Sequence, residues 1–165
     1  MAFLTQPMNN FAQTPILGLV DEIPSPDVVA AQILPTSTAT TIQVGDLVKL
    51  VDGTSGAILV DICTGPTDGP IFGVIPYNAR KNKYLAGDII NVVCNLGYVY
   101  LKASAAIARG AKVSVTASTT TADPLLTTAT VSTDYVLGRT VDTATAANQL
   151  VRVHITPSIP AQLAN

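Results

Sequence analysis

The residues able to do chemistry are few, and their types and spacing already exclude most reactions. The 165 residues hold one histidine, His154, two cysteines, Cys63 and Cys94, and a single glutamate, Glu22. A Ser–His–Asp relay is a spatial arrangement, so one histidine does not exclude it. No GxSxG elbow occurs, however, and His154 alternates with Arg152 and Thr156 in a strand-like run, which reads as a histidine on the exposed face of a strand. One histidine and two separated cysteines without CxxC spacing cannot build a structural zinc site, and Asp52, Asp61 and Asp68 lack the ligand spacing of a calcium loop. Glycosidase-type chemistry needs two carboxyl groups held across a cleft. Here most aspartates fall at turn positions, where they bond local backbone, and Glu22 lies in a proline-rich stretch. Without a P-loop or GxGxxG, nucleotide chemistry has no foothold. The expectation is no catalytic, cofactor-binding or metal-binding residue, and not an enzyme. Cys63 and Cys94 sit in the apolar runs AILVDIC and DIINVVC and read as buried free thiols.

Composition points to a binding surface instead. Charged residues make up 12% of the chain, about half the usual quarter, and the mean hydropathy is +0.41. So few charges cannot cover a free-standing monomer, so much of the surface should face another protein, and a homo-oligomer is expected. No apolar run approaches the roughly 18 residues of a membrane span. The start does not read as a signal peptide, because the first cation is Lys49 and Pro7 and Pro15 interrupt the apolar stretch. Residues 1–48 carry Asp21, Glu22, Asp27 and Asp46 with no Lys or Arg, leaving all 9 cations to the rest of the chain. Their densest cluster, Arg80-Lys81-Asn82-Lys83, is too small for a nucleic-acid interface and reads as a solvated hairpin tip.

Two regions must position these groups. Residues 1–40 scatter Pro7, Pro15, Pro24, Pro26 and Pro35 among polar residues and short apolar pieces, a density that opposes a long helix or a central strand. The stretch is too apolar for an ordinary disordered tail. It reads as an extended N-terminal arm that docks on a partner through Phe3, Phe11, Ile16, Leu17, Leu19 and Val20. Residues 41–165 read as an all-β domain, a small antiparallel β-barrel or sandwich, with nine runs at 42–51, 57–63, 71–77, 88–94, 97–102, 111–117, 128–132, 135–141 and 149–156. Val99 and Leu101 oppose Tyr98, Tyr100 and Lys102, and Val151, Val153 and Ile155 oppose Arg152, His154 and Thr156, as half-buried strands require. One helical turn is a candidate at Ala103–Ala108. A faint internal echo links Phe72–Ile75 and Gly87–Val93 with Leu137–Val141 and Leu150–Ile155, and reads as two similar hairpins of one barrel.

The stretch Ile71–Thr116 carries Phe72-Gly73-Val74, then Ala86-Gly87-Asp88 leading into Ile89–Val93, Gly97–Ala103, Ala106–Gly110 and Lys112-Val113. With the closing pair Val136–Gly138 and Leu150–Ile155, it resembles the capsid cement, or decoration, proteins of tailed phages across about two-thirds of the chain. The resemblance implies a non-enzymatic protein made in the host cytoplasm and placed on the outer capsid surface, where major capsid protein subunits meet, commonly as a homotrimer. It implies attachment through apolar arms and added strands, with no cofactor, nucleic acid or membrane as partner. The alternative is a receptor- or carbohydrate-binding β domain of a fibre or adhesin. Such sites stack aromatic rings on sugars; this chain has no Trp, and Tyr98 and Tyr100 read more simply as a packing row beside Lys102.

Overall fold

The computed structural model describes residues 16–21, 26–39, 42–52, 56–116, 125–129 and 133–158. Among the described residues there are thirteen strands: β1 Val20–Asp21, β2 Asp27–Ile33, β3 Ile42–Gln43, β4 Leu47–Val51, β5 Leu59–Ile62, β6 Ile71–Val74 and β7 Lys83–Tyr84, followed by β8 Ile89–Asn95, β9 Tyr98–Ala103, β10 Lys112–Val115, β11 Leu125–Thr128, β12 Val136–Thr140 and β13 Leu150–Ser158. The fold is all-β, as the alternating runs indicate. The Ala103–Ala108 candidate is not a helix: Ala103 ends β9, and Ile107 makes an isolated bridge to Ala144.

The strands form two closed rings. The first runs β2-β5-β4-β6-β8 and back to β2. In the second, β9-β11-β10-β12-β13 closes through the pairing of β13 with β9, and β1 is added at the outer edge of β9. In chain order both follow one rule. The first strand runs parallel to the third (β2 with β5, β9 with β11), and every other neighbour is antiparallel. The register also matches, because Gln32 faces Leu59 and Ile89 while Lys102 faces Leu125 and Leu150. The echo seen in the sequence therefore belongs to two barrels rather than to two hairpins of one.

Loop hydrogen bonds repeat as well. Gly45 N–H donates to Ile75 O at 2.7 Å and Gly110 N–H to Thr140 O at 2.8 Å, with φ of +87° and +79° at the two glycines. Ile33 N–H donates to Asp88 O and Ala103 N–H to Gln149 O, both at 2.9 Å. Gly73 and Gly138 occupy equivalent places where the fourth strand crosses the fifth. A Cβ on Gly73 would run into the carbonyl of Val93, and one on Gly138 into that of His154.

Each barrel encloses small branched residues. Ile33, Val48, Val60, Ile75, Ile90 and Val92 fill the first, and Val99, Leu101, Val113, Leu126, Val151 and Val153 fill the second. Leu47, Cys63, Ile71, Val74 and Val93 join the second core, so the two barrels pack along a shared apolar seam.

One finding changes the reading of residues 1–40. Asp27–Ile33 is not arm but a full strand of the first barrel, with Ala31 and Ile33 buried in its core. Pro26 and Pro35 bracket this strand without entering it, so the ladder to β8 loses no N–H and the proline density does not oppose a strand here.

Candidate functional site

The stretch Ile16–Asp21 ties the two barrels together. Leu19 N–H closes a turn on Ile16 O at 3.0 Å, with Gly18 at φ +73° inside it. Gly18 O accepts from Tyr77 N–H of the first barrel and Gly18 N–H donates to Tyr100 O of the second, both at 2.7 Å, while Tyr100 N–H returns to Leu19 O at 3.0 Å. β1 then pairs Val20 with Val99 and Asp21 with Tyr98. Position 18 favours glycine, because its φ is left-handed and a Cβ there would press on backbone, 3.0 Å from Tyr77 N and 3.1 Å from Gly45 N.

Of the six residues expected to meet a partner, four are described. Leu17 and Val20 pack against the chain's own core, and Leu17 lies over Gly45. Leu19 is half-buried, and Ile16 is 42% exposed. Phe3 and Phe11 lie outside the described residues.

The outward faces of the two barrels differ in chemistry. On the first, the β2–β8 pair shows Val28, Ala30, Ile89 and Asn91 to solvent, with Val28 50% and Ile89 77% exposed. Leu85, 74% exposed, and Tyr77 extend this apolar area. Between them opens a groove of about 470 Å³ lined by Tyr77, Lys81, Tyr84, Ile89 and Asn91. Lys81 is held there by Asp88 at 2.7 Å, and its ammonium lies 5.2 Å from the Tyr84 ring centre. On the second barrel the matching face carries Tyr98, Arg152 and His154. The rings of Tyr98 and His154 are 5.0 Å apart, and the Arg152 guanidinium lies 5.9 Å from the Tyr98 ring. The sequence signal for the first face was faint, because Val28 and Ala30 lie in the proline-bracketed strand and Ile89 reads as one more apolar strand residue.

Titratable groups are placed for structure. Burial pushes the Asp46 carboxyl up to about 7, although it accepts a 2.7 Å hydrogen bond from Gln43 N–H. Cys63 is a buried free thiol, pushed up to about 12 by burial and by nearby Asp68. Cys94 is also free but only half-buried, with its Sγ 3.4 Å from Asp27 O. Burial of its surroundings works to raise the Asp68 carboxyl, but Lys49 at 2.6 Å and Thr64 prevail and hold it below the ordinary value. Among the described residues no group of three His, Cys, Asp or Glu side chains is placed to hold a metal.

The family of structural cement proteins (E217 gp24/Pam3 gp6) matches residues 14–156, most of the chain and both barrels. The chain belongs to this phage cement family. Its role is that of a structural capsid cement. No curated protein matches it. Among solved structures, the crystal structure of the head fiber gp8.5 N base in bacteriophage phi29 is similar at 18% identity and a TM-score of 0.49, over 82% of this chain and 98% of that one. Within this cement protein, the matched residues take in the Ile16–Asp21 staple and the ring strands as far as Thr156 in β13.

Proposed function

We propose that this cement protein sits on the outer surface of a phage head, where major capsid protein subunits meet, and holds the shell by apolar contact without catalysing a reaction. The observation that carries this reading is the exposed apolar area on the first barrel, where Val28, Leu85 and Ile89 stand in water on a chain with only 12% charged residues. Burying such a face against a partner yields roughly 25 cal/mol per Å² of apolar area. Phe3, Phe11 and Ile16 are proposed to extend the contact, with Leu17 and Val20 anchoring the segment on its own barrels. A trimer made in the host cytoplasm and assembled on the virion fits this reading, and the free thiols fit a reducing compartment.

Electron microscopy of the parent particle tests the placement; density inside the shell, or none at subunit junctions, overturns it. The nature of the contact is tested by raising salt from roughly 0.1 to 1 M, which shortens the Debye length from about 10 to 3 Å. An apolar attachment persists across this range. Clean release at 1 M NaCl, with the protein still folded, shows that charge holds it instead. Leu85→Asp and Ile89→Asp change exposed positions, so they should leave the fold intact and abolish capsid binding.

A further inference from the structure

Because the two barrels share wiring and register, each acts as a control for the other, and one difference stands out at the edges of their first strands. β9 gives one edge to β13 and divides the other: its end, Lys102–Ala103, pairs with β11, and its beginning, Tyr98–Tyr100, is covered by β1 and Gly18–Leu19. β2 gives one edge to β8, and on its other edge Gln32–Ile33 pairs with β5. Among the described residues, nothing pairs with the part of that edge at Val28–Ala30, the counterpart of Tyr98–Tyr100.

The backbone there points outward. Gln32 N–H donates across this edge to Ile58 O at 2.9 Å, and Ile33 N–H donates the opposite way, to Asp88 O. With the two-residue alternation of a strand, Val28 and Ala30 aim their N–H and C=O groups past the edge. Both side chains are exposed. An unpaired, uncharged edge of this kind is a template for an added strand.

We infer that the Val28–Ala30 edge of β2 accepts an extended strand from the Met1–Thr5 segment of a second copy of this chain. The filled edge in the second barrel shows what suits such a site: an extended run of this same N-terminal stretch, Gly18–Asp21, laid antiparallel. Residues 1–15 precede Ile16, carry no charged side chain, and open with Ala2-Phe3-Leu4. Fully extended, that length reaches about 50 Å, beyond the molecule's own radius and onto a neighbour. On β2 itself the exposed Val28 and Ala30 offer uncharged neighbours for its side chains. This deepens the proposed self-association by naming the strand exchanged.

The test uses full-length chains in a Cys94→Ser background, with the Cys63 thiol left buried. Cysteines placed one at a time at Ala2, Phe3, Leu4 and Thr5 are mixed with a separate Ala30→Cys chain and oxidised. A disulfide-linked heterodimer, formed from one or two adjacent positions only, is expected. Adding Val28→Pro to the acceptor removes the outward N–H without touching the β8 ladder, and should lower the yield about tenfold, the equivalent of about 1.4 kcal/mol, with an unchanged circular dichroism spectrum. A disulfide formed only within one doubly substituted chain means the segment folds back on itself and overturns the proposal. Cross-linking that needs added capsid, or none at all, overturns it as well. Light scattering separates the two readings. A monomer at tens of micromolar removes the proposed self-association altogether, whereas an oligomer without the cross-link removes this edge alone.

Discussion

The two barrels follow the same path and differ in almost everything attached to it. Both run parallel from first strand to third, both turn on a left-handed glycine before the second strand, and both cross the fourth strand over the fifth at a glycine. Around that common path, the second barrel carries Tyr98, Arg152 and His154 outward and has its first edge covered. The first carries Val28, Ala30 and Ile89, and among the described residues nothing pairs with its edge at Val28–Ala30. The difference teaches that closure of such a small ring depends on a few backbone constraints, while the outward residues are free to diverge toward separate tasks.

The most damaging way to break the likeness is at the glycines it rests on. Gly73→Ala and Gly138→Ala each put a methyl group into the carbonyl of a neighbouring strand, and backbone in a closed ring cannot retreat as a flexible side chain would. Each should cost on the order of 5 kcal/mol, in the range that unfolds a marginal domain. Urea unfolding should show comparable losses for the two. A large loss at one and none at the other would mean that only one barrel needs the close crossing.

The second comparison is between Asp46 and its counterpart Ala111, which occupy matching places after Gly45 and Gly110. Asp46 is held near 7 against 3.8 for a free carboxyl. Between those values the folded chain keeps a proton that the unfolded chain releases, so stability falls as pH rises from about 4 to about 7 and is level above. Roughly three pH units correspond to about 4 kcal/mol as an upper bound. Asp68 acts in the opposite sense, its stabilisation being lost as pH falls through its lowered value. Thermal unfolding should therefore peak near pH 4. Asp46→Asn retains an acceptor for Gln43 N–H, and it should flatten the decline toward neutral pH. A decline unchanged in that variant would assign it to another group.

How much of this was legible beforehand depends on what each feature leaves in the side chains. The alternation of Val99 and Leu101 against Tyr98 and Tyr100, and of Val151 and Val153 against Arg152 and His154, was visible because one face is buried and the other wet. β2 was hidden because its flanking Pro26 and Pro35 suggested interruption, although neither lies within it. β1 and β7, two residues each, leave no period to read. Of the run expected at 128–132, residues 130–132 lie outside the described residues; the described strand there, Leu125–Thr128, begins earlier than expected, since Thr-rich sequence offers little contrast between faces. The duplication was audible only in its glycines and apolar positions. Shared wiring constrains those positions and leaves the rest free.

Gly45 and Gly110 refine the comparison at a smaller scale. Both have positive φ, so alanine costs about 1–2 kcal/mol at either from backbone alone. At Gly110 a Cβ meets nothing within 4 Å, whereas at Gly45 it would come 2.7 Å from Leu17 Cγ. Gly45→Ala should therefore be the more destabilising of the pair, and Leu17→Ala in the same chain should return part of the difference. Equal losses, with no rescue by Leu17→Ala, would show that the Ile16–Asp21 stretch does not press on the first barrel.

The smallest effect expected concerns Lys49 and its counterpart Ser114, each at the middle of the second strand of its barrel. Lys49 is half-buried and bridges to Asp68 at 2.6 Å, joining its barrel to the Gly65–Pro70 loop. Ser114 is fully buried, and its Oγ has no described hydrogen-bond partner. A part-exposed ion pair contributes at most about 1 kcal/mol and is screened by salt, while a buried hydroxyl left unpaired costs about 1–3 kcal/mol and only part of that returns on removal. Lys49→Met should thus destabilise by less than about 1 kcal/mol at low salt and by still less at 1 M. Ser114→Ala should stabilise slightly, by a few tenths to about 1 kcal/mol, with no dependence on salt. The two substitutions act at matching places with opposite sign because one polar group has an ion-pair partner and the other has none among the described residues. If Ser114→Ala destabilised instead, the hydroxyl would be bonded to a group outside the described residues, and the second barrel would carry a polar tie of its own at the place where the first uses Lys49.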